Sequence, residues 1–574
     1  MKKYKNNSLV VQGQLSDYER MKGESNYLRG TISDDLLDSL TNGFKGDNFY
    51  LIRFHGMYQQ DDRDLRKERI EQKLEPKYTM MLRCRLPGGV ITSKQWLKIY
   101  DFALNCTFYK SIRLTNRQTF QLHGILKNKL KNTHKMLNEV GLDSLATAND
   151  VNRNVICTSN PNETIIHHQI YEFSKKVSDL LLPKTNAYAE IWLDKKKIFK
   201  TYEEEPILTK FYLPRKFKIS IVIPPYNDID IHANDMSLVA IIDVHNTTIL
   251  GFNLLLGGGL SFEHSNHATV PAISKDIGFI DYKNIFSVIQ SVVTIQRDWG
   301  DRTNRKQAKT RYTIKRVGLQ IFKKEIEKRA NVFFEKSKPY HFISRGDRFG
   351  WLKGQDQLWY YTLFIPQGRI VNTIDLKLGE CLQKIAQIHK GSFRITANQN
   401  IIISEISTEN KINITKLLQK YNIDNSFSNV RKNSMACVSF PTCPLAMAEA
   451  ERVLDNFVNK LELLLIKYNI NHEYIVFRIT GCPNGCARAL LAEIALVGKS
   501  FGKYNLYLGG NKIGTRIPHL YLENLDENAI FKHLDKLIFL WSSERQTKED
   551  FGDFVIRKKI VLEVIDSFND FWKK

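Results

Sequence analysis

The chain has no uninterrupted apolar run of about 18 residues, the length a membrane-spanning helix needs, so no membrane association is expected. Its start, MKKYKNNSLVVQGQL, is charged like a secretory signal but lacks the apolar stretch of about 7–15 residues that must follow, so a cytoplasmic protein is expected. Proline (15) and glycine (31) are too scarce in 574 residues for a collagenous or low-complexity chain. Eight cysteines are too few for a disulfide scaffold. The glycine-rich segment GFNLLLGGGL (251–260) lacks G-x-G-x-x-G, so the chain is not expected to bind a dinucleotide itself. There is no Lys/Arg-rich tail, no zinc-finger spacing and no basic block interleaved with aromatics, so no nucleic-acid partner is expected.

What is present is an ordinary globular composition, 43% hydrophobic and 25% charged, with a strong excess of cations. Lys+Arg number 84 against 61 Asp+Glu, a formal charge of +23. The basic residues are scattered, with groups at 113–117, 214–218 and 302–316. That pattern suits either a generally basic surface or buried anionic ligands.

Four cysteines stand apart from the rest. Cys437 and Cys443 form C-x5-C, and Cys482 and Cys486 form C-x3-C, with 38 residues between the pairs. Neither the paired C-x2-C of a zinc ribbon nor the ferredoxin run C-x2-C-x2-C-x3-C is there. Each pair precedes an Ala-rich stretch, PLAMAEAERVL and ARALLAEI, that reads as a helix. Helix N-termini would stabilise thiolates and an anionic cluster. Small buried cysteines at helix starts are the alternative.

The chain also repeats itself. LRCRLPGGVI (82–91) resembles LFIPQGRIVN (363–372), and RLTNRQTFQLHGI (113–125) resembles RITANQNIIISEI (394–406). CTSNP (157–161) resembles CVSFP (437–441), and FNLLLGGG (252–259) resembles YNLYLGGN (504–511). Four ordered matches predict two similar halves about a pseudo-twofold axis, with the four-cysteine set in the second only. The fold class is α+β, mixed sheets backed by helices. Boundaries near 75, 145, 340 and 425 divide the chain into an N-terminal, partner-facing extension (1–75), a smaller and a larger module of the first repeat (76–145 and 146–340), and the same pair again (341–425 and 426–574). Strands are expected at 81–86, 112–123, 216–223, 252–256 and 504–508. Helices are expected at 95–105, 168–182, 284–296, 376–389, 444–466 and 486–494.

Segment 112–123 alternates with period two. Arg113, Thr115, Arg117, Gln121 and His123 share one face. Lys216 and Lys218 share another, as do Arg83 and Arg85, and Arg153 precedes the repeat cysteine Cys157. Cations gathered in a cleft repel one another and persist only where anions join them.

On these residues the chain resembles the sulfite and nitrite reductase family. The carriers are CVSFPTC (437–443) with TGCPNGC (480–486), and the likeness runs from ESNYLRG (24–30) and FHGMYQQDDRD (54–64) to FGDF (551–554). The early segments look like the NADPH-linked bacterial branch. The larger modules would then be sirohaem and iron–sulfur domains, the smaller ones ferredoxin-like half-domains. The resemblance implies one 4Fe–4S cluster on Cys437, Cys443, Cys482 and Cys486, with Cys486 bridging to the iron of one sirohaem. Sirohaem carries eight carboxylates. Arg113, Thr115, Arg117, Gln121 and His123 would lie along it, with Lys306, Lys309 and Asn505 as further contacts. Arg83, Arg153, Lys216 and Lys218 match the family's sulfite-binding cations. The implied activity is six-electron reduction of sulfite to sulfide in sulfate assimilation and cysteine biosynthesis. NADPH would be used only through a flavoprotein (alpha) subunit carrying FAD and FMN. A ferredoxin-dependent sulfite or nitrite reductase is the nearest alternative; a basic nucleic-acid-binding protein with a structural metal site is a remote one. Ala487 departs from the family's usual Gly, which matters only if that residue needs positive φ.

Overall fold

Two five-stranded sheets of the same topology answer to the sequence repeat. The computed structural model describes residues 9–573, apart from 160–163, 185–191, 194–195, 198–204, 244, 246 and 424–425. In the first sheet, Ile156–Cys157, Ile219–Val222 and Met236–Ile242 run parallel, and Ile249–Leu256 and Lys275–Asp281 follow antiparallel. In the second, Met435–Ala436, Phe477–Thr480 and Ile494–Ser500 run parallel, then Lys503–Leu508 and His519–Leu525 antiparallel. The repeat motifs hold equivalent places. Cys157 ends the first strand of one sheet and Cys437 follows the first strand of the other, while FNLLLGGG and YNLYLGGN lie at the fourth. The boundary near 425 falls outside the described residues.

Each sheet buries the apolar stripe of its helices. Ile166, Ile170, Phe173 and Val177, on helix Ile165–Leu180, pack with Leu238, Phe252 and Leu254. Leu454, Phe457, Leu461 and Leu465, on Leu454–Lys467, pack with Phe477, Ile479 and Leu496. These i, i+3/4, i+7 spacings place one face inward, and each side chain contributes about 1.5–3 kcal/mol by leaving water.

The smaller modules interleave. One sheet is ordered Met57–Asp61, Tyr78–Arg83, Phe120–Ile125, Ile112–Leu114 and Arg369–Ile370; the other Gly350–Lys353, Trp359–Leu363, Ile401–Ile406, Ser392–Ile395 and Val90–Thr92. Each therefore takes its last strand from the other half of the chain. The turns Pro87–Gly89 and Pro366–Gly368 make the exchange. Gly88 (φ 65°) and Gly89 (φ 79°) hold left-handed backbone, and a Cβ on Gly89 would strike the Ile395 carbonyl. The strand Met57–Asp61 precedes residue 75 yet pairs with Tyr78–Arg83.

Helices form at Ser93–Cys106, Ile165–Leu180, Ile285–Trp299 and Leu378–Ile388, where the apolar period placed them. Three expectations need correction. Segment 112–123 is a hairpin, Ile112–Leu114 and Phe120–Ile125, turning where Gln118 adopts φ 51° and Thr115 N–H donates to the Thr119 carbonyl. Arg113 pairs with Gln121 across it, so those two keep a common face. The helix expected at 444–466 begins only at Leu454. The N–H groups of Met447 and Ala448 donate instead to the Gly481 carbonyl, at 2.8 and 3.1 Å. At 486–494 a single short turn, Ala489–Leu491, leads into the strand Ile494–Ser500. There Glu493 and Ile494 donate to the Val476 carbonyl, so sheet pairing overrides the helical propensity of the alanines. Among the described residues no helix is long and apolar enough to cross a membrane.

Candidate functional site

The four cysteines follow two neighbouring parallel strands. Met435–Ala436 leads into Cys437 and the loop to Cys443, and Phe477–Thr480 into Cys482 and Cys486. Crevices beyond the carboxyl ends of parallel strands are where such sheets bind ligands. All four cysteines are free, and each lies within electrostatic reach of the other three. None starts a helix, contrary to the sequence expectation. Turns supply the donors instead: Gly481 N–H reaches Cys437 Sγ at 3.3 Å, Thr480 Oγ1 reaches it at 3.5 Å, and Asn484 Nδ2 lies 3.5 Å from Cys482 Sγ. Ser439 (φ 52°), Gly485 (φ 68°) and Arg488 (φ 53°) bend the chain to make this possible. Ala487 is outside the left-handed region, so alanine fits there without strain.

Burial and repulsion by neighbouring thiols raise Cys437 to about 11, Cys443 to about 12, and Cys482 likewise upward. Such thiols ionise when a cation joins them. A lone tetrahedral ion with bonds of about 2.3 Å would draw its sulfurs to about 3.8 Å from one another. Among the described residues no three or more His, Cys, Asp or Glu gather as tightly as one ion requires. Four mutually facing thiols with donors aimed at their sulfurs fit an iron–sulfur cluster.

Beside them opens a cavity whose wall includes Asn484, Gly485 and Arg488 of the cysteine loop. Its other charged lining is Arg117, Lys216, Lys218, Lys309, Arg311 and a single carboxylate, Asp235. Cys486 is exposed, and Asn116 of the cavity wall hydrogen-bonds its carbonyl. Burial, with Arg215 and Arg153 beside it, pushes Lys216 down to about 8. Burial and neighbouring cations push Lys218 and Lys309 well below the usual lysine range, and Arg117 to about 9. The buried Nε atoms of Arg117 and Arg215 have no hydrogen-bond partner. A cavity of under-neutralised cations beside a cysteine centre fits an anionic, carboxylate-bearing cofactor and an oxyanion.

Arg83 and Arg153 converge beside these cations, with Arg83 in electrostatic reach of Cys486. Each donates to the Thr147 carbonyl, at 2.9 and 3.0 Å, and both face the Tyr58 phenol. Gln121, with its amide turned to satisfy its neighbours, accepts from Arg83 at 2.6 and 3.1 Å and donates to His123. His123 also meets Gln60 at 3.0 Å, and burial keeps it neutral. Gln121 and His123 therefore brace Arg83 and do not line the cavity.

Other expected contacts fall elsewhere. Arg113, 1% exposed, is paired to Glu451 at 2.9 Å and donates to the Leu114 and Ala436 carbonyls, so its charge is answered within the protein. Thr115 shapes the hairpin turn, accepting from Arg117 N–H at 3.2 Å. Lys306 is half-exposed and paired with Glu263 at 2.8 Å, outside the cavity. Asn505 is buried in its strand, tied to Asn524 N–H and His264. Sequence reading missed Asn116, Asp235, Ser261, Arg311 and Arg488. Gly258 and Gly259, in the repeated FNLLLGGG, were the available signal for the wall that Ser261 joins.

Residues 172–333 match the family described as "Nitrite and sulphite reductase 4Fe-4S domain". Residues 72–140 and 352–421 match "Nitrite/Sulfite reductase ferredoxin-like half domain". The first match falls on the larger module without the four cysteines. The chain is 62% identical over 571 residues to the "Sulfite reductase [NADPH] hemoprotein beta-component" of Buchnera aphidicola subsp. Acyrthosiphon pisum (strain 5A), covering 100% of both. It is 60% identical over 565 residues to the protein of that name from Salmonella arizonae, covering 98% of this chain and 99% of that one. The NirA protein of Mycobacterium tuberculosis shares the fold, with a TM-score of 0.77 at 21% identity over 96% of this chain and 97% of that one. The chain belongs to the nitrite and sulfite reductase family, and is an oxidoreductase of its haemoprotein beta-component branch.

Proposed function

We propose that the chain reduces sulfite to sulfide at a sirohaem joined through Cys486 to a 4Fe–4S cluster. One observation carries the reading: the exposed Cys486 belongs to the four-thiol group and stands in the chain between Gly485 and Arg488 of the cavity wall, its carbonyl held by Asn116. Cys437, Cys443, Cys482 and Cys486 would hold the cluster, and Arg117 and Lys309 would meet sirohaem carboxylates. Bound there, the cofactor pair supplies an iron site for sulfur and a route for single electrons.

The remaining chemistry belongs to side chains. Sulfite takes up six electrons and seven protons and releases hydrosulfide and three waters. Arg83, Arg153, Lys216 and Lys218 would neutralise its oxygens, and each charge-assisted bond contributes about 1.5–3 kcal/mol. Lys216, at about 8, sits where an ammonium both binds an oxyanion and gives up a proton near neutral pH. Electrons from NADPH would arrive through a flavoprotein subunit, and the charge of +23 suits an acidic donor domain.

Steady-state turnover of the purified, cofactor-loaded protein with a chemical reductant tests this. A higher kcat/KM for sulfite than for nitrite is expected. A far higher value for nitrite, or preparations without iron and acid-labile sulfide, would overturn it.

A further inference from the structure

Asp230 lies outside the cation cavity and takes part in none of the chemistry above. It is 1% exposed and holds left-handed backbone (φ 51°) before the short turn Ile231–Ala233. Three guanidinium groups converge on its carboxylate: Arg345 Nε at 2.6 Å, Arg478 Nη1 at 2.7 Å and Arg488 Nε at 2.9 Å. Two of them also hold the backbone after Cys486. Arg345 Nη1 donates to the Leu491 carbonyl at 2.7 Å, and Arg478 Nη1 to that of Arg488 at 3.2 Å. Arg488 itself reaches Ile229 O at 2.9 Å, Ala397 O, and Asn398 Oδ1 at 3.1 Å.

One carboxylate thus joins both larger modules, a smaller module and the cysteine loop. One anion under three cations is a poor device for stability, since burying charge costs more than such pairing returns; its better-attested use is to fix geometry. There is geometry to fix. Arg488 is two residues past Cys486, lines the cavity, and occupies left-handed backbone that a non-glycine residue holds only under constraint.

We propose that Asp230 is a positioning residue for Cys486: through Arg345, Arg478 and Arg488 it sets the backbone that aims the Cys486 sulfur between the other three thiols and the cavity. This rests on the reading that Cys486 joins two iron centres.

The test uses the cofactor-loaded protein. Asp230→Asn keeps the side chain's shape and removes its charge, and Arg345→Lys keeps charge and removes the fork. Expected in either variant are wild-type iron and haem content, loss of the spectroscopic signature of coupling between the centres, and faster amide exchange over 487–492. An accompanying fall in kcat of about tenfold is expected, with KM for sulfite unchanged. Native coupling in both variants, a change in KM alone, or failure of both to assemble would overturn the proposal. An uncoupled wild type would instead sink the reading of Cys486 beneath it.

Discussion

Lys216 shows how a single side chain reports what its surroundings need. Burial and adjacent arginines hold it at about 8, below its ordinary 10.5. A lysine lowered on folding opposes folding wherever it is charged in both states, so the penalty is full below about pH 8 and is relieved as pH climbs toward 10.5. The cofactor-free chain should therefore gain stability over that window, read as a rising urea midpoint, and Lys216→Met should flatten the rise. Sulfite affinity should run the other way, weakening above about pH 8 as the ammonium is lost. Lys218→Met should lower kcat by about 10²-fold without lowering the unfolding midpoint, because it removes an unfavourably buried cation from a cavity wall. Glu451 is a different case. It answers both Arg113 and Arg369, at 2.9 and 2.7 Å, so Glu451→Gln leaves a buried and a partly buried cation short of a partner. A loss of about 3–5 kcal/mol is expected by chemical denaturation.

Among the elements, the two cysteine loops depend on glycine where the chains touch. A Cβ on Gly481 would run into Ser439 Oγ and the Ala448 carbonyl, and one on Gly498 into the Gly481 carbonyl. Gly481→Ala should push the loops apart and take the Gly481 N–H away from Cys437 Sγ. Iron and acid-labile sulfide per chain should fall by half or more, while far-ultraviolet dichroism stays unchanged. The cysteine loops also show why local sequence misled. PLAMAEAERVL and ARALLAEI have the composition of helices, yet their N–H groups go to Gly481 and Val476 carbonyls from distant parts of the chain. The hairpin at 112–123 misled for the opposite reason. Its period-two pattern continues across the turn, since Arg113 and Gln121 face each other on adjacent strands.

For the molecule as a whole, the consequential feature is the exchange of strands between the smaller modules. Val90–Thr92 completes the sheet of the second half and Arg369–Ile370 that of the first, over one shared core. Neither smaller module has a closed core without the other, whereas each larger module encloses its own. Residues 1–340 and 341–574 expressed separately should each leave the smaller module without amide-exchange protection, whereas coexpression should restore that protection and one complex by size-exclusion chromatography. Two independently folding halves would contradict this.

The sequence by itself determined the repeat, the α+β class, the four-cysteine group and most of the cations. These are local facts: motif spacing, periodicity and charge survive without knowledge of where the chain goes. It could not separate cations that face the cavity from those already answered, because Arg113, Lys306 and Lys309 read alike until Glu451, Glu263 and an open wall are placed beside them. Nor could it find Asp230, one carboxylate among many until three arginines from 345, 478 and 488 close on it. Whether a charge is a ligand, a brace or a surface group depends on the partner it meets, and only tertiary structure chooses that partner.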